Sequence, residues 1–371
     1  MVSRLVEEFL ELVQIDSETG HEEVIAPILV DKLEKLGFDV IQDDAHTRNG
    51  HGAGNLIATL EGTVDVEPIY FTVHMDTVVP GKGIKPEIRE DGYIYSDGTT
   101  ILGADDKAGM AAAFEMVRRL KEENIPHGTI QFIITAGEES GLVGAKELDP
   151  SMIKAKYGFA IDSDGKVGGI VVAAPYQNKI NVVVRGKTAH AGVAPEKGIS
   201  AITVAAKAIA EMKLGRIDEE TTANIGRFEG GKATNIVCDE VHILAEARSI
   251  DKAKLDAQTA HMKETFERVA EKMGGKAEVE VILMYPGFRV TEQDKVTQIA
   301  MQAARAIGRE PQIGISGGGS DANVISGFGI PTVNLSVGYE EIHTTNERMP
   351  VEELEKLADL LVEIVKCSTE E

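Results

Sequence analysis

The chain has 371 residues, with 61 Asp and Glu against 38 Lys and Arg, a formal net charge of −23 and 43% hydrophobic residues. That balance argues against nucleic acid as a partner, since phosphate contacts need a basic surface, while the length allows a large core and two domains. The 2 cysteines, Cys238 and Cys367, speak against a disulfide framework and a thiolate zinc site.

The first residues read as an acidic amphipathic helix, with Leu5, Val6, Phe9, Leu10 and Val13 on one stripe, rather than as a secretion signal. No apolar run approaches the ~20 residues of a membrane-spanning helix, so a soluble, cytoplasmic protein with no membrane partner is expected. Thr19-Gly20-His21-Glu22 matches a capping box and predicts a helix from there to about Leu36. Apolar strands are predicted at 55–60, 69–73, 130–135 and 159–162, with a helix at 107–120 between the middle pair. Such alternation implies an α/β fold, a mostly parallel mixed sheet covered by helices. In open sheets of this kind ligands collect outside the carboxyl ends of the strands, where His74, Glu138, Glu139 and Asp162 fall.

The character changes near Tyr176. Strands at 180–185, 225–228, 241–247 and 277–284 and helices at 199–212 and 253–273 predict a compact α+β unit, a four-stranded antiparallel sheet with two helices. After Pro286-Gly287 the alternation resumes and ends in a helix at 351–365. The expected organisation is a main domain of residues 1–175 and 289–371, interrupted by an inserted domain at 176–288.

The chemistry-bearing residues form an ordered series. His74 and Asp76 sit two apart at a strand end and so share a face; one can ligate a cation while the other orients it. Asp105 and Asp106 open a helix after Gly103, where they serve either as caps and dipole partners or as ligands, and a carboxylate there has two oxygens to share between two cations. Glu138 and Glu139 follow a strand and point to opposite sides, as an acidic turn or as a ligand beside a general base. Asp162 and His343 complete a nitrogen and oxygen donor set that suits zinc, cobalt or manganese.

In this order, the motifs resemble the aminoacylase and carboxypeptidase G family of di-zinc peptidases, and most of all its peptidase T-like, tripeptide aminopeptidase branch. The likeness covers essentially the whole chain. It is carried by Thr72-Val73-His74-Met75-Asp76-Thr77, Leu102-Gly103-Ala104-Asp105-Asp106-Lys107, Gly137-Glu138-Glu139-Ser140-Gly141, Gly186-Lys187-Thr188-Ala189-His190-Ala191-Gly192 and Ser316-Gly317-Gly318-Gly319-Ser320-Asp321-Ala322-Asn323. The resemblance implies two divalent metal ions: His74 and Asp162 on one, Glu139 and His343 on the other, and Asp105 bridging. It implies that Asp76 orients His74, that Glu138 is the general base, and that the peptide bond after Asp105 is cis.

The inserted segment matches the family's lid, which often also forms a homodimer. His190 matches its oxyanion-stabilising histidine, and Asn235 and Arg248 match positions that hold a substrate carboxylate, a task suited to a guanidinium. On their own residues, Arg248 reads equally as a surface ion pair and Asn235 as a turn residue. The glycines around Gly318 allow backbone to approach a ligand closely. The implied substrate is a short peptide, with an N-acyl amino acid or a dipeptide as the alternative. A non-catalytic metal- or peptide-binding relative would be expected to lack Glu138 or a ligand, and none is missing.

Overall fold

The computed structural model describes residues 2–370. Met1 and Glu371, the outermost residues of the expected main domain, lie outside them. Two compact units result. The first runs to Ala173 and continues through Arg289–Ser316 and onward from Ser320; the second comprises Ala174–Phe288 with Gly317–Gly319.

The first unit is built on a mostly parallel sheet in the order Asp39–Gln42, Leu56–Leu60, Ile130–Thr135, Ile69–His74, Tyr157–Ser163, Thr332–Ser336 and Gly169–Ala174. Ile69–His74 runs parallel between Ile130–Thr135 and Tyr157–Ser163. Every residue of Ile69–His74 and Ile130–Thr135 is buried, because helices cover both faces and leave no polar side to alternate with. Phe71 stacks on Phe159 at 5.5 Å between ring centroids and meets Phe132 edge-on at 6.2 Å, pairings worth about 0.5–1.5 kcal/mol beyond burial. The helix Ala104–Glu122 presents Ala108, Ala111, Ala112 and Phe114 to this core.

One expectation fails here. The helix after residue 19 begins only at Ile25, and its cap residue Val24 offers no side-chain hydrogen bond. Thr19 Oγ1 instead lies 2.6 Å from Ser140 Oγ, and Glu22 accepts the N–H groups of Gly20 and Gly52 at 2.7 and 2.9 Å. The residues that spell a capping box satisfy a turn and a distant loop, an alternative that short polar side chains always offer.

The second unit is an antiparallel sheet in the order Gly215–Arg216, Thr221–Gly230, Glu240–Ser249, Tyr176–Arg185 and Lys276–Tyr285, with helices Ala201–Glu211 and Lys252–Lys272. It thus has five strands rather than four, the extra one being a two-residue edge too short to leave a periodic signal. Along Glu240–Ser249 buried Val241, Ile243, Ala245 and Ala247 alternate with more exposed neighbours, as expected when one face packs on helices. Leu255, Met262 and Phe266 fill the space beneath. The first of these helices is capped by Ser200, which accepts from Thr203 N–H at 3.2 Å; the second by Asp251, which accepts from Ala253 and Lys254.

Candidate active site

The five predicted ligands converge in the first unit. His74 ends its strand, Asp105 opens the long helix, Glu139 follows Ile130–Thr135, and Asp162 sits near the end of Tyr157–Ser163. His343 lies on a loop after Thr332–Ser336 with φ 62, a left-handed conformation for a residue other than glycine, which costs about 1–3 kcal/mol and marks functional positions. The Asp105–Asp106 peptide is cis, as the resemblance implies.

Asp105 lies at the centre of the arrangement. Its Oδ1 is 3.0 Å from His74 Nε2 and its Oδ2 is 3.1 Å from His343 Nε2. His343 Nε2 is also 3.0 Å from Glu139 Oε1, and His74 Nε2 is 3.8 Å from Asp162 Oδ1. Two imidazoles therefore flank one carboxylate, each with a further carboxylate beside it.

Asp76 meets His74 through its backbone as well as its carboxylate. His74 Nδ1 is 2.9 Å from the backbone oxygen of Asp76 and 3.6 Å from its Oδ1. The carboxylate accepts the backbone N–H groups of Glu138 and Glu139 at 3.0 and 3.2 Å. Asp76 thus orients His74 chiefly through its main chain, and its side chain holds the turn that carries Glu138. The sequence spacing shows a shared face but not which oxygen is used.

Asp106, a candidate ligand from the sequence, and several residues that escaped sequence reading complete the site. Asp106 groups with His74 and Asp162 as potential ligands; its Oδ2 accepts from His74 N–H at 3.3 Å, while its buried Oδ1 has no hydrogen-bond partner. Tyr339 donates to Asp162 Oδ1 at 3.3 Å, and Asn334 pairs with the backbone of Asp162 at 2.8 and 2.9 Å. The buried Glu347 accepts three backbone N–H groups from the segment leading to Asp105. Only Asp106 had a visible signal, its place in the Asp-Asp pair; the others are singletons whose partners lie far away in the chain.

The electrostatics suit a cation. Burial and the neighbouring Asp162 carboxylate push Glu138 well above the usual carboxylate range, and burial with Asp105 does the same to Asp162. Hydrogen bonds to Asp105 and Glu139 push His343 up to about 10. Burial would lower His74, but Asp105 and Asp76 outweigh it and raise it. Carboxylates that disfavour one another's charge, and imidazoles drawn towards the charged form, describe a site whose field asks for positive charge. Divalent cations with nitrogen and oxygen ligands compete for those positions, so the residues present fit the two metals the resemblance implies.

The remaining predicted residues belong to the second unit. His190 and Asn235 are both exposed and adjoin through Ala191 N–H, which donates to Asn235 O at 3.0 Å. His190 Nδ1 accepts from Gly192 N–H at 3.2 Å. Arg248 is half-buried and already paired: Nε and Nη2 reach the two oxygens of Glu246 at 2.9 and 3.1 Å, and Nη1 reaches Gly317 O at 3.2 Å. The ion-pair reading of Arg248 is thus realised, with a carboxylate from its own strand. Gly318 lies in the glycine run beside it; at Gly319 a Cβ would come within 2.3 Å of the Tyr285 ring, so a side chain there would have to displace that ring.

Carboxylates and imidazoles gathered at the carboxyl ends of a parallel sheet, interrupted by an inserted α+β unit, define the metallopeptidase class of hydrolase. Residues 70–366 match Peptidase family M20/M25/M40, and the chain belongs to that family. It is 67% identical to the aminopeptidase PepT of Bacillus cereus, whose crystal structure superposes with a TM-score of 0.96 over 99% of this chain and 98% of that one. A tripeptidase of Staphylococcus aureus is 55% identical, with a TM-score of 0.97 over 99% and 98%. The protein YqjE of Bacillus subtilis is 66% identical over 98% of both chains.

Proposed function

We propose that this peptidase releases the N-terminal residue from short peptides, tripeptides foremost, using two divalent metal ions, zinc or else cobalt or manganese. The observation that carries the reading is Asp105, whose two oxygens each face a different imidazole at 3.0 and 3.1 Å. The similar Bacillus cereus and Staphylococcus aureus proteins, an aminopeptidase and a tripeptidase, support the substrate class. His74 and Asp162 would hold one ion, Glu139 and His343 the other, and Asp105 both. When bound, such ions acidify water, to a pKa of roughly 7 in known zinc sites, and polarise a carbonyl.

Glu138 is the general base: it takes the proton of the attacking water and passes it to the leaving amine. Asp76 holds the Glu138–Glu139 backbone in place for that transfer. From the inserted domain, His190 stabilises the oxyanion, while Asn235, Arg248 and the backbone near Gly318 hold the peptide's carboxylate end. Arg248 already grips the Glu246 carboxylate in the two-point manner a substrate carboxylate would use. A panel of free tripeptides, dipeptides and N-acetyl or N-succinyl amino acids tests the reading. Turnover is expected on tripeptides, and activity confined to the acylated compounds would reject it. Dimerisation through the inserted domain is supported by the sheet-edge strand Lys276–Tyr285, where Val281, Ile282 and Leu283 are exposed; a monomeric mass by light scattering at assay concentration would exclude it.

A further inference from the structure

We propose that Glu347 is a positioning residue that locks the loop bearing His343 to the segment bearing Asp105, and so sets the second metal position. The inference rests on the two-metal reading above. Glu347 is 1% exposed. Its Oε2 accepts from Leu102 and Gly103 N–H at 2.8 Å each, and its Oε1 from the N–H of Asp105 itself at 3.1 Å.

The acceptor and His343 share one loop. That loop is closed at its neck, where Glu340 and Arg348 exchange backbone hydrogen bonds of 2.9 and 3.0 Å and the Arg348 guanidinium reaches the Glu340 carboxylate at 2.6 and 2.7 Å. Inside it, Glu341 and His343 hold left-handed φ of 56 and 62, a conformation that persists only where the surroundings over-determine it. The neck fixes the loop to itself; Glu347 fixes it to Asp105. The 3.1 Å separation of Asp105 Oδ2 from His343 Nε2 joins residues of these two segments.

The side chain suits that role. All three partners are donors, so both oxygens must accept, and only a carboxylate offers two accepting ends. Glutamine has the same shape but turns an NH₂ towards one group of N–H donors. An unpaired buried carboxylate would be costly; burial pushes Glu347 up to about 7, and the hydrogen bonds from one ligand-bearing segment offset part of that cost.

The test is a titration of metal-depleted wild type, Glu347→Asp and Glu347→Gln with Co(II), followed by visible absorption and calorimetry. The first equivalent should bind all three proteins alike. The second should weaken in the order wild type, Asp, Gln, by about 10–100-fold for Gln, the usual effect of removing a partner that orients a ligand. A merely structural role would lower the unfolding temperature without singling out one equivalent. Equal affinity for both equivalents in wild type and Gln, or equal weakening of both, overturns the proposal. Should the Gln protein fail to unfold cooperatively, the Asp protein decides in the same way. Fewer than two equivalents bound by wild type would overturn the two-metal reading and this inference with it, whereas two equivalents in wild type and an unchanged second equivalent in the variants would reject only the role of Glu347.

Discussion

The two units treat their functional side chains in opposite ways. In the first, carboxylates are buried and anchored by backbone N–H groups drawn from distant segments: two on Asp76 and three on Glu347. In the second, His190 and Asn235 are exposed, and Arg248 is held by Glu246 on its own strand. Burial with satisfied hydrogen bonds fixes geometry to tenths of an ångström and raises the energy of every charge not matched by a partner. Exposure leaves side chains free to exchange one partner for another. The groups proposed for the reaction are thus preorganised by the fold, while those proposed for substrate recognition are arranged for exchange.

If that division is right, mutations in the two units should change different kinetic quantities. The largest effect is expected for Glu138→Ala, a loss of about 10²–10⁴-fold in turnover, the usual worth of general base catalysis, with metal stoichiometry by elemental analysis unchanged. Retained activity would break the comparison at its strongest point. Arg248→Ala should raise KM for free tripeptides by about 10–100-fold, corresponding to the ~1.5–3 kcal/mol of hydrogen bonds to a charged group, with a much smaller change in kcat. Peptides amidated at the C-terminus should show little of that penalty, and an equal penalty on both would place Arg248 outside carboxylate recognition.

The smallest effect is on stability and pH. Glu8 is buried against Lys32, at 2.8 Å, and Arg118. Burial raises its pKa, but the bonds from Lys32 and Arg118 outweigh it and leave it below the usual value. A lowered folded-state pKa gives stability that is present above the ordinary carboxylate range, near ~4.3, and lost as pH falls through the folded value. Glu8→Gln should therefore cost about 2 kcal/mol in denaturant unfolding at pH 7, and the gap from wild type should close as the pH is taken below ~4. A gap independent of pH would show that packing rather than charge is responsible.

Much of this was legible in the chain. The apolar runs ending at His74 and Thr135 announced strands buried on both faces, and the turn from apolar to acidic residues at each end marked the site. What stayed hidden depends on distance along the chain. Glu347 and Tyr339 gain their meaning from Asp105 and Asp162, partners that no periodicity links to them. Local signals also competed: Thr19 and Glu22 have the spacing of a helix cap but bond to Ser140, Gly20 and Gly52. The edge strand Gly215–Arg216 is too short to show a period.

Asp105 is proposed to join two metal positions that together activate peptide hydrolysis. The most direct test assays metal-depleted protein against a free tripeptide while zinc, cobalt or manganese is returned in measured equivalents. No turnover is expected without metal, and full recovery is expected as the second equivalent binds. Turnover undiminished by complete metal removal would contradict the proposal.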